Sequence, residues 1–330
     1  MKIGFCGIQN ASTLEMLRRL RLHNASDEFF TWPPGEPAPS TELEVVITSD
    51  DFRSTDIESQ TKLGLLQMSS AGYEGVAIDT ATKAGVWVGS APTTKTGNGE
   101  SVAEVAVLLM IAVSRMLNEE LSSTRGIPRN PSEVRLGNKA LFGKTACILG
   151  LGGIGRLVVE RLRGFGMILT GVDKHPEHAP NGVRAYSSDE LKIAVADADY
   201  LIVAIPSTKE DENIIDGTVL AAMKEHSVLV NVSRGTLVDE GALLAAVKSG
   251  HLFGAGLDVV KDEPIGKDNP LLKEPRIFVT PHIGGATDVM IDGTVKYIGE
   301  VLADYKIGLR SPVMINEPIN PRVQLTPKPM

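Results

Sequence analysis

The sequence predicts an α/β fold built on doubly wound parallel sheets, and three observations carry that expectation. Short apolar runs alternate with helical periodicities along most of the chain, the pattern of strands linked by crossover helices. A glycine-rich turn, Gly150-Leu151-Gly152-Gly153-Ile154-Gly155, joins one such run (145–149) to a helical pattern carrying Leu157, Val158 and Leu162. A second apolar run, 167–172, then closes on an acid, Asp173.

The G-x-G-x-x-G spacing has a mechanical reason. The first glycine makes a tight strand-to-helix turn, the second lets a pyrophosphate approach the backbone, and the third lets helix and strand pack closely. The helix N-terminus turns unsatisfied N–H groups and partial positive charge toward the phosphates. Asp173, at the tip of the second strand, is placed to accept hydrogen bonds from a ribose 2′-OH and to repel a 2′-phosphate. Strand, loop, helix, strand and acid in this order point to a dinucleotide, with NADH preferred over NADPH.

At 330 residues the chain is long for one core, so two domains are expected. A 42% hydrophobic and 22% charged composition suits a globular protein. The net charge of −8, with no basic block, argues against a nucleic-acid partner. No apolar run approaches membrane-spanning length, and the N-terminus enters a strand without a signal-length apolar core. Cys6 and Cys147 each sit in an apolar run and make neither a disulfide framework nor a metal spacing. A soluble cytoplasmic protein with reduced, buried thiols is the expectation, with no membrane partner.

The elements are expected in the following order. Residues 1–88 form a small α/β unit with strands at 3–8, 45–48, 65–68 and 86–88 and helices at 13–22 and 75–84. Residues 32–35 and 37–40 read as loop. The turn 69–75 follows a strand and precedes a helix, so its N–H groups suit either an anion or an ordinary turn. A polar connector, 93–99, leads into an apolar helix at 100–117, then a charged arm over 119–142. Beyond Asp173 come strands at 200–205, ending before Pro206, and at 227–232, 254–259 and 277–280. Helices at 219–224, 240–249 and 289–305 complete the alternation, and the Pro-rich tail from Ser311 is extended.

Three strand ends carry polar residues that folding does not require: Arg234 after Asn231-Val232-Ser233, Glu263 beyond Leu257-Asp258-Val259, and His282 after Thr280-Pro281. In a doubly wound sheet all three reach the carboxyl edge, where the glycine loop also holds its ligand. Singly, each has an ordinary explanation as a loop acid, a surface charge or a structural histidine. Together they suit hydride exchange between a nicotinamide and a carbonyl carbon. A histidine supplies the proton that the forming alkoxide needs. A neighbouring carboxylate favours the protonated ring and fixes its orientation. An arginine fork binds a substrate carboxylate beside the carbonyl, which implies a 2-oxo or 2-hydroxy acid. No catalytic metal is expected, because no His/Cys/Asp cluster has ligand spacing in the sequence.

These motifs resemble the D-isomer-specific 2-hydroxyacid dehydrogenases over nearly the whole chain. The resemblance rests on the glycine loop with Asp173, on Asn231-Val232-Ser233-Arg234-Gly235 running into Val238-Asp239-Glu240-Gly241, on Gly256-Leu257-Asp258-Val259 with Asp262-Glu263-Pro264, and on Thr280-Pro281-His282-Ile283-Gly284-Gly285. It implies Arg234, Glu263 and His282 as the catalytic trio. It places Val232, Asp258 and the turn of His282, Gly284 and Gly285 near the nicotinamide end of the cofactor, and counts Ile205, Pro206, Ser233 and Arg234 among the cofactor-binding residues. It also implies that Gly72 and Tyr73 clamp the substrate carboxylate and that Asn98 lies on the substrate side.

The implied architecture is a Rossmann cofactor domain, 99–286, inserted into a smaller flavodoxin-like substrate domain made of 1–98 plus 287–330. A homodimer through the cofactor domain, using the 100–117 helix and the arm after it, is implied too. The chain departs from the pattern at Val105, where many members have His, at Ile205, where many have Thr, and over 126–140, which is short and lacks Trp. Glu263 and Ala71 stand where formate- and phosphite-oxidising relatives have Gln and Lys. The turn 282–285 looks like the glycerate, glyoxylate and hydroxypyruvate branch. The family also contains transcriptional co-repressors, so an NAD-sensing binding protein is the competing expectation.

Overall fold

The computed structural model describes residues 1–49, 51–73, 75–124, 137–311 and 313–328. It divides into two compact units, Met1–Asn98 with Ala286–Met330, and Gly99–Gly285.

The first stretch of chain contributes β1 (Lys2–Cys6), α1 (Ala11–His23), β2 (Glu28–Trp32), β3 (Val45–Thr48), α2 (Ser54–Glu58), β4 (Leu65–Met68), α3 (Ile78–Lys83), β5 (Trp87–Gly89) and α4 (Thr93–Thr96). The five strands are parallel in the order β2-β1-β3-β4-β5, so strand order reverses beside β1. The near-continuous apolar runs of β3 and β4 follow from burial on both faces. Asn10 starts α1 by accepting the Thr13 N–H at 2.9 Å, satisfying one of the donors a helix leaves open.

The inserted unit holds α5 (Asn98–Ser114), α6 (Leu117–Thr124), β6 (Thr145–Leu149), α7 (Gly153–Gly164), β7 (Ile168–Val172), β8 (Arg184–Tyr186), α8 (Leu191–Ala196), β9 (Tyr200–Val203), α9 (Gly217–Ala222), β10 (Ser227–Asn231), α10 (Glu240–Lys248), β11 (Leu252–Leu257) and β12 (Ile277–Val279). Its seven parallel strands run β12-β11-β10-β9-β6-β7-β8, with the reversal between β6 and β9. One face of the sheet packs Leu201, Val203, Leu229 and Leu257 against α8, α9 and α10. The other packs Ile148, Ile202 and Val230 with Ala106, Leu109 and Met110 of α5 and Val158 and Leu162 of α7. Each buried Val, Leu, Ile or Met among them contributes roughly 1.5–3 kcal/mol on leaving water.

The chain then returns through α11 (Asp288–Lys306), β13 (Leu309–Arg310) and β14 (Thr326–Pro327). Val295, Ile298, Val301 and Leu302 of α11 share a core with Ile3, Phe5, Leu17, Leu20, Val45 and Ile47. That burial makes the C-terminal stretch part of the smaller unit.

Several elements differ from the sequence expectation. The 32–35 loop begins inside β2, an edge strand whose Pro-Pro neighbour and half-exposed Phe-Phe-Thr core hide its period. The polar connector 93–99 contains α4 and the first turn of α5. The single helix expected over 100–117 is two, because Met116 adopts a left-handed φ of 51° between α5 and α6. Half of the charged arm, residues 125–136, lies outside the described residues, and its first residues, 119–124, belong to helix α6. No helix among the described residues is long and apolar enough to cross a membrane.

Candidate active site

The glycine loop sits between β6 and α7, at the reversal point of the larger sheet. Gly150 has φ +97°, a conformation L side chains rarely adopt. A Cβ there would also stand 2.7 Å from Ala204 O. At Gly155 a Cβ would fall 1.8 Å from Gly150 O, so only glycine lets α7 start this close to β6. Gly152 is the opposite case: a Cβ there meets nothing within 4 Å, so space is open in front of the loop. Gly153 and Ile154 open α7, whose N-terminus has no side-chain cap and no acid in its first turn. Its leading N–H groups therefore remain for an anionic ligand, which fits a dinucleotide pyrophosphate.

Asp173 follows β7 directly. Its Oδ2 accepts the Leu151 N–H at 2.7 Å and its Oδ1 accepts the His175 N–H at 2.9 Å. The carboxylate thus ties the glycine loop to the next turn while remaining only half-buried.

Strands β10, β11 and β12 lie side by side and parallel, so their C-terminal ends share the edge that carries the glycine loop. At the end of β10, buried Asn231 accepts the Ser233 N–H at 3.0 Å and donates its Nδ2–H to Arg234 O at 2.8 Å. The Ser233 hydroxyl donates to Ile205 O, fastening this turn to the one after β9, where Pro206 is exposed. Val232 is buried beneath it. Half-buried Arg234 donates from Nη1 to Ser233 O at 2.8 Å. A Cβ on Gly235 would lie 1.9 Å from the Val260 carbonyl carbon, so glycine here lets the turns after β10 and β11 meet.

After β11 the Val260 N–H donates to Glu263 Oε1 at 3.1 Å, aiming the other oxygen outward. That oxygen, Oε2, stands 2.6 Å from His282 Nδ1. The pair is accessible, with side-chain exposures of 34% for Glu263 and 50% for His282. His282 holds φ 51°, uncommon for a non-glycine residue, and its surroundings determine it. Its N–H donates to Asp258 O at 2.9 Å and Thr280 O at 3.0 Å.

Asp258, 2% exposed, builds the rest of that turn. Oδ1 accepts from the Thr280 hydroxyl at 2.6 Å and the Ile283 N–H at 3.0 Å, and Oδ2 accepts from the Gly284 N–H at 2.8 Å. Asp258 is therefore a positioning residue for His282, with its carboxylate engaged in the turn. Sequence reasoning quoted Thr280 and Asn231 inside motifs but assigned neither a role. Their signal was a polar residue closing or following a buried strand, beside a loop that must be held.

In the smaller unit, Gly72 and Tyr73 follow β4. The Ser70 hydroxyl donates to Gly72 O at 3.1 Å, and Tyr73 is exposed. Glu74 lies outside the described residues. Half-buried Asn98 opens α5 just after Gly97, which has φ +71°.

Comparison with known proteins places these features in context. The family model for the D-isomer specific 2-hydroxyacid dehydrogenase NAD binding domain matches residues 107–284. The D-3-phosphoglycerate dehydrogenase of Mycobacterium leprae is 36% identical over 252 residues, covering 76% of this chain and 46% of that protein. The chain thus spans about half the length of that relative. The glyoxylate reductase of Thermococcus litoralis is 32% identical over 283 residues, 83% of each chain. Among solved structures, the NADPH-dependent glyoxylate/hydroxypyruvate reductase of Sinorhizobium meliloti superposes with a TM-score of 0.83 at 25% identity, covering 98% of this chain and 99% of that one.

Proposed function

This chain belongs to the D-isomer-specific 2-hydroxyacid dehydrogenase family, and we propose that it is an NAD-dependent oxidoreductase interconverting a small D-2-hydroxy acid and its 2-oxo acid. The observation that carries the proposal is the 2.6 Å His282–Glu263 pair on the sheet edge that also bears Arg234 and the glycine loop.

The bound nicotinamide cofactor supplies or accepts the hydride, and the chain's own residues do the rest. Glu263 takes Nδ1 of His282, which leaves Nε2 to face the substrate oxygen. In reduction Nε2–H donates its proton to the oxygen that gains negative charge; in oxidation Nε2 removes it. Glu263 fixes the ring through Nδ1, so the proton on Nε2 sits where the oxygen will be. Arg234 binds the substrate carboxylate through its fork and fixes which face of the neighbouring carbonyl is presented. Gly72, Tyr73 and Asn98 are assigned to the substrate by the family resemblance.

Asp173 favours NADH, although the Sinorhizobium relative is NADPH-dependent, since a carboxylate at this strand tip repels a 2′-phosphate. A homodimer through the larger unit belongs to the same proposal. Its support is α5, which exposes Leu108 and Ile111 on a helix whose other face is core. Two buried cysteines, neither in a disulfide, suit a reducing, cytoplasmic setting.

The test is a panel of 2-oxo acids assayed with NADH and with NADPH. The names of the relatives make glyoxylate, hydroxypyruvate and 3-phosphohydroxypyruvate the first compounds to include. Turnover of at least one at an ordinary enzymatic rate is expected, with NADH the better donor. Tight NADH binding with no turnover of any 2-oxo acid would instead favour the nucleotide-sensing alternative.

A further inference from the structure

The turn that follows Asp173 brings three metal-binding side chains together, away from the catalytic pair. His175, Glu177 and His178 each offer one ligand atom, and the three atoms lie within 4.8 Å of one another. Residues Pro176–His178 form one turn of 3-10 helix, with the His178 N–H donating to His175 O at 3.0 Å. Residues three apart eclipse in that geometry, which sets both imidazoles on one side of the turn. Their ring centroids are 5.7 Å apart, and Glu177 Oε1 lies 3.4 Å from His175 Nδ1.

The backbone beneath them is held from four directions. The His175 N–H donates to Asp173 Oδ1 at 2.9 Å and the Ala179 N–H to Pro176 O at 3.2 Å. The Arg156 guanidinium donates to His178 O, and the Pro176 ring restricts its own φ. The side chains themselves are exposed, so their rotamers are free to close on an ion. Zinc–ligand distances of about 2.0–2.2 Å require donor atoms roughly 3–3.5 Å apart, within reach of the present spread. The spacing His175-Pro176-Glu177-His178 does not by itself reveal the cluster, because the 3-10 turn is what brings the three side chains together.

We propose that His175, Glu177 and His178 bind one divalent transition-metal ion, with Zn²⁺ the biological candidate. Two imidazoles and one carboxylate favour zinc, copper and nickel over magnesium or calcium, and exposure leaves the remaining positions to water. Arg156 and Lys174 bring positive charge nearby, which Asp173 and Glu177 offset.

The site adjoins Asp173, so the ion bears on cofactor choice, a consequence that rests on the assignment of Asp173 to the ribose. An added dication beside that carboxylate opposes its repulsion of a 2′-phosphate. Zinc therefore narrows the preference for NADH over NADPH by several-fold at low ionic strength, and less at high salt.

The test uses tag-free full-length protein, titrated calorimetrically with Zn²⁺ and followed by visible absorption with Co²⁺. One ion per chain is expected. His175→Ala and His178→Ala should each weaken binding at least tenfold and remove the cobalt bands, whereas His23→Ala and His282→Ala should keep both. Circular dichroism checks that the variants fold. Affinity unchanged in either of the first two variants, or no saturable binding, overturns the site. Dissociation constants for NADH and NADPH, with and without Zn²⁺, test the consequence. An unchanged ratio with the ion bound overturns the coupling to the ribose site and leaves the metal site standing.

Discussion

The two units are built alike and equipped differently. Each is a parallel sheet with one reversal of strand order, and in each the turns after the strands gather at the carboxyl edge. In the larger unit that edge carries ionisable residues held by backbone groups of buried neighbours: Asp173 by the Leu151 N–H, Glu263 by the Val260 N–H, His282 by the Asp258 carbonyl. In the smaller unit the turn after β4 offers backbone and small residues, Ser69-Ser70-Ala71-Gly72, with Tyr73 exposed beside them. At the amino edge of each sheet the two units are alike. Asp27, just before β2, and Asp199, just before β9, each accept from cations and hold the chain together. The lesson is that the amino edges do structural work in both units, while the Glu263–His282 pair sits at the carboxyl edge of only one.

The sharpest way to break that division is at His282. Replacing it with Ala should lower turnover of a 2-oxo acid by roughly 10²–10⁴-fold, the usual contribution of a positioned acid or base. NADH binding, measured by fluorescence titration, should change little, because the glycine loop and Asp173 are untouched. Glu263→Gln should cost less, and the double variant should lose hardly more than His282→Ala, since the two act as a unit. Additive losses would separate Glu263 from the histidine.

Next in size is Arg234→Lys. The charge stays but the fork is lost, so kcat/KM on a 2-oxo acid should fall about 10–100-fold, the scale of one or two charge-assisted hydrogen bonds. A variant within twofold of wild type would reduce Arg234 to a surface charge. Asp173→Ala should act more mildly, narrowing the kcat/KM ratio of NADH to NADPH by about tenfold, the scale of one such interaction. An unchanged ratio would remove Asp173 from cofactor choice.

Legibility in the sequence followed burial. Strands sealed on both faces, at 45–48, 65–68 and 145–149, were readable to the residue because continuous apolar runs have few alternatives. Edge strand β8 and the short helices α2 and α8 were not, since half-exposed elements of three to six residues carry too little period. At the site, Arg234, Glu263 and His282 stood out as polar strand ends. The clamp of Asp258 on the His282 turn did not, because it depends on β11 and β12 being neighbours, a fact of topology and not of spacing. The eclipsed pair His175 and His178 was hidden likewise, until the turn between them was known to be 3-10.

The smallest expected effects concern the amino edges, where acid should weaken both units through the same kind of group. Burial pushes the Asp27 carboxyl up, but hydrogen bonds from Lys306 and the N-terminal ammonium outweigh it, and the net position is below the ordinary 3.8. Asp199 behaves alike: burial raises it, and Lys224 with the Thr145 N–H more than compensates. A carboxyl held below its unfolded value contributes stability that is fully present above that value and is lost as pH falls through the folded one. Asp27→Asn and Asp199→Asn should therefore destabilise at pH 7, by roughly 1–3 kcal/mol, and progressively less below about pH 4. The side chain of Asp27 is 2% exposed against 18% for Asp199, so its replacement should cost more. Both tryptophans, Trp32 and Trp87, lie in the smaller unit, so their fluorescence follows that unit alone during urea unfolding. Asp27→Asn should move the tryptophan transition to lower urea, and Asp199→Asn should shift the circular dichroism more than the fluorescence. A deficit for Asp27→Asn that stayed the same at pH 3 and pH 7 would show that the ion pairs are not what stabilises this edge.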